Sequence, residues 1–174
     1  MAELKIYRMN PLVPMLSYAT EQSACFDLSA CLADRASVKG FYENNEPVVF
    51  VCLKDESGAF HIKIPAKARV LIPTGMIFDI EPLHHVKIWA RSGLSIKKGL
   101  AMSNGVGVID ADYTEEVFVP MINNSNQELK ITHGDRVAQG ELIFNWNQAQ
   151  FKYIDVRPAQ KSDRAGGFGS TGVS

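Results

Sequence analysis

The stretch Val86-Lys-Ile88-Trp-Ala90-Arg-Ser-Gly-Leu-Ser-Ile-Lys-Lys98-Gly99 changes its period midway. Val86, Ile88 and Ala90 alternate with Lys87 and Trp89, the two-residue period of a strand with one buried face. From Ser92 the alternation stops. Gly99, a favoured terminator, closes the one plausible helix of the chain, which begins near Ser92. Elsewhere the strand period returns, in Phe60-His-Ile62-Lys-Ile64 and Val117-Phe-Val119-Pro-Met121. Val48 to Leu53, Val70 to Ile72 and Leu142 to Phe144 are short apolar runs that read as fully buried strands. Turn chemistry separates them, at Glu43-Asn-Asn-Glu-Pro47, Glu56-Ser-Gly58, Pro73-Thr-Gly75, Asn123-Asn-Ser-Asn126 and His133-Gly-Asp135. Many short strands between frequent turns predict an all-β sandwich, jelly roll or barrel.

Composition narrows the class without naming a function. The 174 residues suffice for one domain, or one domain and a tail, with 46% apolar and 21% charged residues. No apolar stretch is long enough to span a membrane. The N-terminus MAELKIYRMNPLVP carries charge where a signal peptide needs an unbroken apolar segment. Cys25, Cys31 and Cys52 are odd in number and lack metal-ligand spacing, which suits free thiols in a reducing compartment. The expectation is a soluble, intracellular, cytoplasmic protein with no membrane partner. A net charge of −1 argues against a general nucleic-acid binder and leaves a polyanionic small molecule possible only at a local basic cluster.

The end of the chain differs. Ser162 to Ser174 holds four of the thirteen glycines and a single aromatic, Phe168. Such a segment cannot bury enough apolar surface to order itself. It reads either as a frayed tail or, given Arg164 and Phe168, as anchors for something bound elsewhere.

Five words stand out, in this order: Ala24-Cys-Phe-Asp-Leu-Ser-Ala30, Ala90-Arg-Ser-Gly-Leu94, Gly107-Val-Ile-Asp-Ala-Asp-Tyr113, Gly134-Asp-Arg-Val-Ala-Gln139 and Arg164-Ala-Gly-Gly-Phe-Gly-Ser-Thr-Gly172. Any one of them occurs by chance. In the second, amides at a strand-to-helix turn attract anions and Arg91 adds a planar donor fork, unless Ser92 is simply an N-cap. In the third, Asp110 after Val108-Ile109 is either a turn aspartate or a carboxylate oriented for work. Asn104 to Tyr113 reads as a β-hairpin around Gly105 and Gly107.

Together, from about Ser23 to Gly172, the five words resemble the motifs of the homotrimeric dUTPase family. The resemblance implies an all-β, distorted jelly-roll barrel over residues 1–161, with one short helix, and a flexible Gly-rich tail over 162–174 that closes on substrate. It implies hydrolysis of dUTP to dUMP and pyrophosphate with Mg²⁺, which limits uracil incorporation into DNA and supplies dUMP for thymidylate synthesis. Asp110 would activate the attacking water. Arg91, Ser92, Gly93 and Gln139 would meet the phosphates, with Arg136 in support. Asn104 and the backbone of Gly107, Val108 and Ile109 would read uracil, and Tyr113 would pack under deoxyribose. Asp27 would reach Mg²⁺ through water, with an ion pair to Arg136 as the alternative. Phe168 and Gly169 would lie over the base, and Arg164, Ser170 and Thr171 on the terminal phosphates, donated by a neighbour in a homotrimer. Asp112 is secondary, facing the same way as Asp110 only if the strand stays extended.

The chain also departs from the family. Ala90 replaces a usual proline, Glu115 a usual glycine, and the Arg164 to Phe168 spacing is one residue short. Residues of about 38–60 look inserted and suggest an extra hairpin. His84-His85 would face opposite ways in a strand and make no metal site, and Lys97-Lys98 reads as a solvated helix face. Two alternatives remain open. A dCTP deaminase-like enzyme would need an acid/base near C4 of the base, where Pro120 stands. A non-catalytic nucleotide-binding protein would have no need of Asp110.

Overall fold

A computed structural model describes residues 2–146 and 151–159. Among these the chain forms β1 (Leu4–Arg8), β2 (Phe26–Ser29), β3 (Ser37–Phe41), β4 (Pro47–Val51), β5 (Leu53–Lys54), β6 (Phe60–Ile64) and β7 (Arg69–Pro73). Then come β8 (Met76–Ile80), β9 (His84–Ala90), α1 (Ser92–Lys98), β10 (Leu100–Met102), β11 (Gly107–Asp110), β12 (Phe118–Asn123), β13 (Leu129–Thr132) and β14 (Arg136–Phe144). The named strands pair antiparallel in four sheets, ordered β1-β8, β10-β12-β7-β3-β4, β11-β9-β14-β2 and β13-β6-β5. The architecture is therefore all-β and jelly-roll-like, with the sheets separate where a fully closed barrel would join them.

The period-two segments behave as their side chains dictate. Val86 and Ile88 of β9, Phe26 and Leu28 of β2, and Val70 and Ile72 of β7 point inward to one core that also holds Phe78, Leu100, Val119 and Met121. Each such aliphatic side chain contributes about 1.5–3 kcal/mol by leaving water. The three apolar runs are not fully buried. Val49, Val51, Leu53, Leu71 and Phe144 are exposed: β4 buries only Phe50, the two-residue β5 buries neither side chain, and Leu71 and Phe144 lie on the outward faces of β7 and β14. The region of the extra hairpin holds two turns: β3 and β4 pair through a turn with Asn45, and β5 and β6 through one with Gly58.

The helix ends where glycine predicts it. Gly99 takes the left-handed conformation, φ 69°, and donates its N–H to Ser95 O at 3.1 Å. Lys97 and Lys98 sit exposed in the last turn, favourable at the negative end of the helix dipole. The N-cap, however, is Arg91 rather than Ser92: its backbone is extended and its side chain makes no capping bond. No helix among the described residues is long and apolar enough to cross a membrane.

Candidate active site

Two cavities collect the residues singled out in the sequence. The first, about 320 Å³, is bounded by Asn104, Gly107, Val108, Ile109, Asp110 and Tyr113, with Leu71, Ile88, Met102, Phe118 and Pro120. Its shape follows from strand order. β11 pairs with β9 alone and forms the edge of its sheet, so its other side presents backbone donors and acceptors with no strand partner. The expected hairpin over 104–113 does not form. β10 pairs with β12 and β11 with β9, so the segment crosses between two sheets and the cavity opens at the crossing.

Asp110 is the last residue of β11 and is exposed. Ala111 and Asp112 already turn, so Asp112 does not continue the extended run that would align it with Asp110. Tyr113 is fixed at both ends: its N–H donates to Asp110 O at 3.1 Å and its hydroxyl to Glu116 O at 2.8 Å. Burial, and then the charges of Glu115 and Glu116, push its phenol above the ordinary value. It remains a protonated donor at neutral pH.

The second cavity, about 340 Å³, is polar and is lined by Ser23, Cys25, Asp27, Arg91, Ser92, Gly93, Arg136 and Gln139, beside Ala19 and Ala24. Three of the five words meet there because β14 pairs with β2 on one side and β9 on the other, setting Gln139 between Asp27 and Trp89. Asp27 holds two guanidinium groups, Arg91 Nε at 3.2 Å on one oxygen and Arg136 at 2.9 Å on the other. Arg91 also donates to Arg136 O at 2.9 Å. Each carboxylate oxygen thus takes one guanidinium, and the triad keeps one net positive charge facing the cavity. In α1 the amides of Leu94 and Ser95 both bond Arg91 O, and among the described residues those of Ser92 and Gly93 are left for an anion. Burial, and secondarily Glu141, push the Cys25 thiol up, so it is no ready nucleophile.

Within one chain Asp110 and Arg91 stand far apart. Asp110 stands opposite His85 at the start of β9, and Arg91 follows its end. Six residues of strand separate the two positions, about 20 Å at the usual rise. Arg164, Phe168, Gly169, Ser170 and Thr171 lie outside the described residues, as does the rest of 160–174. His84 packs on Phe144 and His85 bonds the Asn145 side chain. Among the described residues no cluster of three metal-binding side chains occurs. Sequence reading missed the Arg35–Glu116 ion pair behind Tyr113. Its partners are 81 positions apart and share no local pattern.

Comparison with known proteins gives a consistent answer. A family model described as dUTPase matches residues 57–172. The chain is 45% identical over 167 residues to the deoxyuridine 5'-triphosphate nucleotidohydrolase of Desulfotalea psychrophila, covering 95% of this chain and 92% of that one. It is 32% identical over 170 residues to the enzyme of the same name from Caulobacter vibrioides, covering 97% and 92%. Among solved structures, the dUTPase of Streptococcus mutans superposes with a TM-score of 0.60 at 24% identity, over 88% of this chain and 98% of that one. A mutant of the Staphylococcus bacteriophage 80alpha dUTPase, solved with dUpNHpp, gives 0.70 at 18% identity, over 98% and 99%. Both share its fold. With the family model spanning most of the chain and these relatives aligned along nearly all of it, the chain belongs to the dUTPase family.

Proposed function

We propose that the protein hydrolyses dUTP to dUMP and pyrophosphate. The supporting observation is that one dUTPase-family chain carries both an edge-strand pocket ending in Asp110 and a cationic pocket holding Arg91, Ser92 and Gln139. Uracil has an N3–H between two carbonyls, which the open edge of Gly107, Val108 and Ile109 and the amide of Asn104 can match. Cytosine reverses part of that pattern and leaves groups unpaired, a penalty that discriminates strongly. Tyr113 walls the sugar. The phosphates enter the second pocket, where the Arg91 fork, the Ser92 and Gly93 amides and Gln139 take them, with Arg136 alongside. Asp110 accepts a proton from the water that attacks the α-phosphorus in line with departing pyrophosphate.

Among the described residues, Asp27 is the one carboxylate in the cationic pocket, and each of its oxygens accepts one guanidinium. One lone-pair direction is left on each oxygen, which fits contact with Mg²⁺ through water better than direct ligation. Bound with the substrate phosphates, Mg²⁺ would neutralise charge developing on pyrophosphate.

Asp110 must come within hydrogen-bond reach of a water at the α-phosphorus, yet it lies about 20 Å from Arg91 along the strand. The site is therefore assembled from more than one copy, the Asp110 pocket of one chain meeting the Arg91 pocket of another. The family resemblance makes this a homotrimer, a head-to-tail ring. Residues 162–174 belong to the same proposal: Phe168 and Gly169 cover the base, and Arg164, Ser170 and Thr171 meet the terminal phosphates, closing the site to water. The free thiols Cys25, Cys31 and Cys52 accord with a cytoplasmic location.

The test is pyrophosphate release from dUTP, dCTP, dTTP and UTP, with and without Mg²⁺. Release confined to dUTP and dependent on the metal is expected. Asp110→Asn should bind dUTP normally and lose turnover by about 10²–10⁴-fold, the usual worth of a general base. Ammonia from dCTP, or no turnover of any of the four, would overturn the proposal.

A further inference from the structure

Behind Tyr113, and outside both cavities, lies a charge pair that the chemistry above does not use. Glu116 is 8% exposed, and a carboxylate taken that far from water needs compensation. It has two partners. The Arg35 guanidinium pairs with Oε1, and the Gly75 N–H donates to the same oxygen at 2.7 Å. Arg35 is itself anchored, its Nε donating to Cys31 O at 3.0 Å. Gly75 sits at φ 71°, and a Cβ there would lie 2.5 Å from Val13 and 2.9 Å from Cys31 Sγ, so its N–H is aimed by a turn only glycine can make. The side chain of Glu116 is thus pinned to two segments distant in sequence, the turn at Gly75 and the loop before β3. Its carbonyl receives the Tyr113 hydroxyl at 2.8 Å.

We propose that the Arg35–Glu116 pair is the positioning device that sets the Tyr113 ring and, through it, selectivity for deoxyribose over ribose. Glu116 and Arg35 touch no substrate; they act through Tyr113. A ring free to turn on its χ angles would yield to a 2′-hydroxyl. Here the ring is tied at its amide to Asp110 O and at its hydroxyl to the Glu116 carbonyl, whose peptide is held by the Val117 N–H on Met76 O and whose side chain is held by the half-buried ion pair. Asp110 depends on the pair much less, because β11 is held by its ladder to β9. The pair therefore governs binding and sugar choice rather than the rate of the chemical step.

The assignment of Tyr113 to the sugar rests on the dUTPase function proposed above, so the primary readout is binding, which needs no turnover. Dissociation constants for dUMP and UMP are measured on the full chain for wild type, Glu116→Gln, Arg35→Met and Tyr113→Phe, with KM and kcat for dUTP beside them. Gln keeps an acceptor for Gly75 and removes the charge facing Arg35; Tyr113→Phe removes only the hydroxyl. Each variant is expected to lose about tenfold of the dUMP-over-UMP preference, the worth of one hydrogen bond, and Glu116→Gln and Arg35→Met to raise KM with kcat nearly unchanged. Tyr113→Phe/Glu116→Gln should lose no more than either single change, since both cut one linkage. Wild-type preference and KM retained in Tyr113→Phe, or in whichever of the other two folds, would overturn the inference, whatever their thermal stability. A wild type that binds neither nucleotide would instead overturn the function proposed above, and this inference with it.

Discussion

Asn123 has no exposed surface, yet both ends of its side chain are occupied. Its amide nitrogen lies 3.0 Å from Ile64 O, 3.0 Å from Pro65 O and 2.7 Å from Gln127 O. Its oxygen accepts from Ser125 N at 3.0 Å and Ser125 Oγ at 2.7 Å. One side chain therefore ties the end of β12 to the end of β6 and shapes the turn that follows. Asn123→Ala should lower stability by about 2–4 kcal/mol, because buried carbonyls lose their donor, while leaving nucleotide binding intact. Denaturant unfolding checks this, and a cost below about 0.5 kcal/mol would mean that water replaces the amide. From the sequence Asn123 reads as the first of four turn residues, which is half of its role. Local pattern shows that a chain turns; it cannot show that the turn residue is also the bond donor for a strand 59 positions earlier. Arg35 and Glu116 escape notice for the same reason. Asp27, Arg91 and Gln139 were legible because their neighbours in sequence carry the family words.

At the scale of elements, the turn joining β5 to β6 is built on a single carboxylate. Asp55 accepts from Lys130 of β13 at 2.8 Å, from Ser57 Oγ at 2.6 Å and from Ala59 N at 3.1 Å. The Lys130 bond first, and then that of Ser57, hold its carboxyl well below the usual carboxylate range. A depressed carboxylate stabilises the fold at pH above its unfolded value, near 4, and that contribution is lost as pH falls toward the folded value. The Tm gap between wild type and Asp55→Asn should be widest above pH 5 and should narrow on acidification below about pH 4. A gap that does not change with pH would show that the charge of the carboxylate is not what stabilises the turn. Strands were the most legible elements, because alternation survives wherever one face is buried, as in β6 and β9. What alternation cannot show is which strand pairs with which. Asn104 to Tyr113 looked like a hairpin since its arms are adjacent in sequence, and pairing with β9 and β12 outweighed that adjacency.

At the scale of the whole molecule, the described residues include an apolar sheet face that a lone chain would rarely leave bare. Phe41, Val49, Val51 and Leu71 are exposed on the outer side of the five-stranded sheet. Phe41, Val49 and Leu71 line a cavity of about 630 Å³ that shares Leu71 and Pro120 with the Asp110 cavity. Contiguous apolar surface of this kind marks association, and the shared assembly proposed above would set a second copy's Arg91 cavity against Asp110 nearby. None of this was legible from periodicity, because Val48 to Leu53 reads as core from composition and only the sheet order shows which side is outside.

The distance along β9 between Asp110 and Arg91 has a genetic corollary. Lesions at the two positions should complement each other. Asp110→Asn and Arg91→Ala, each nearly inactive alone, should regain about a quarter of wild-type turnover when co-expressed in equal amounts, since random assortment gives each site both intact halves about one time in four. Co-expression followed by purification and a turnover assay measures this directly, and no recovery would place both halves of the site in one chain. A cell carrying one copy of each allele would then be healthier than either parent homozygote.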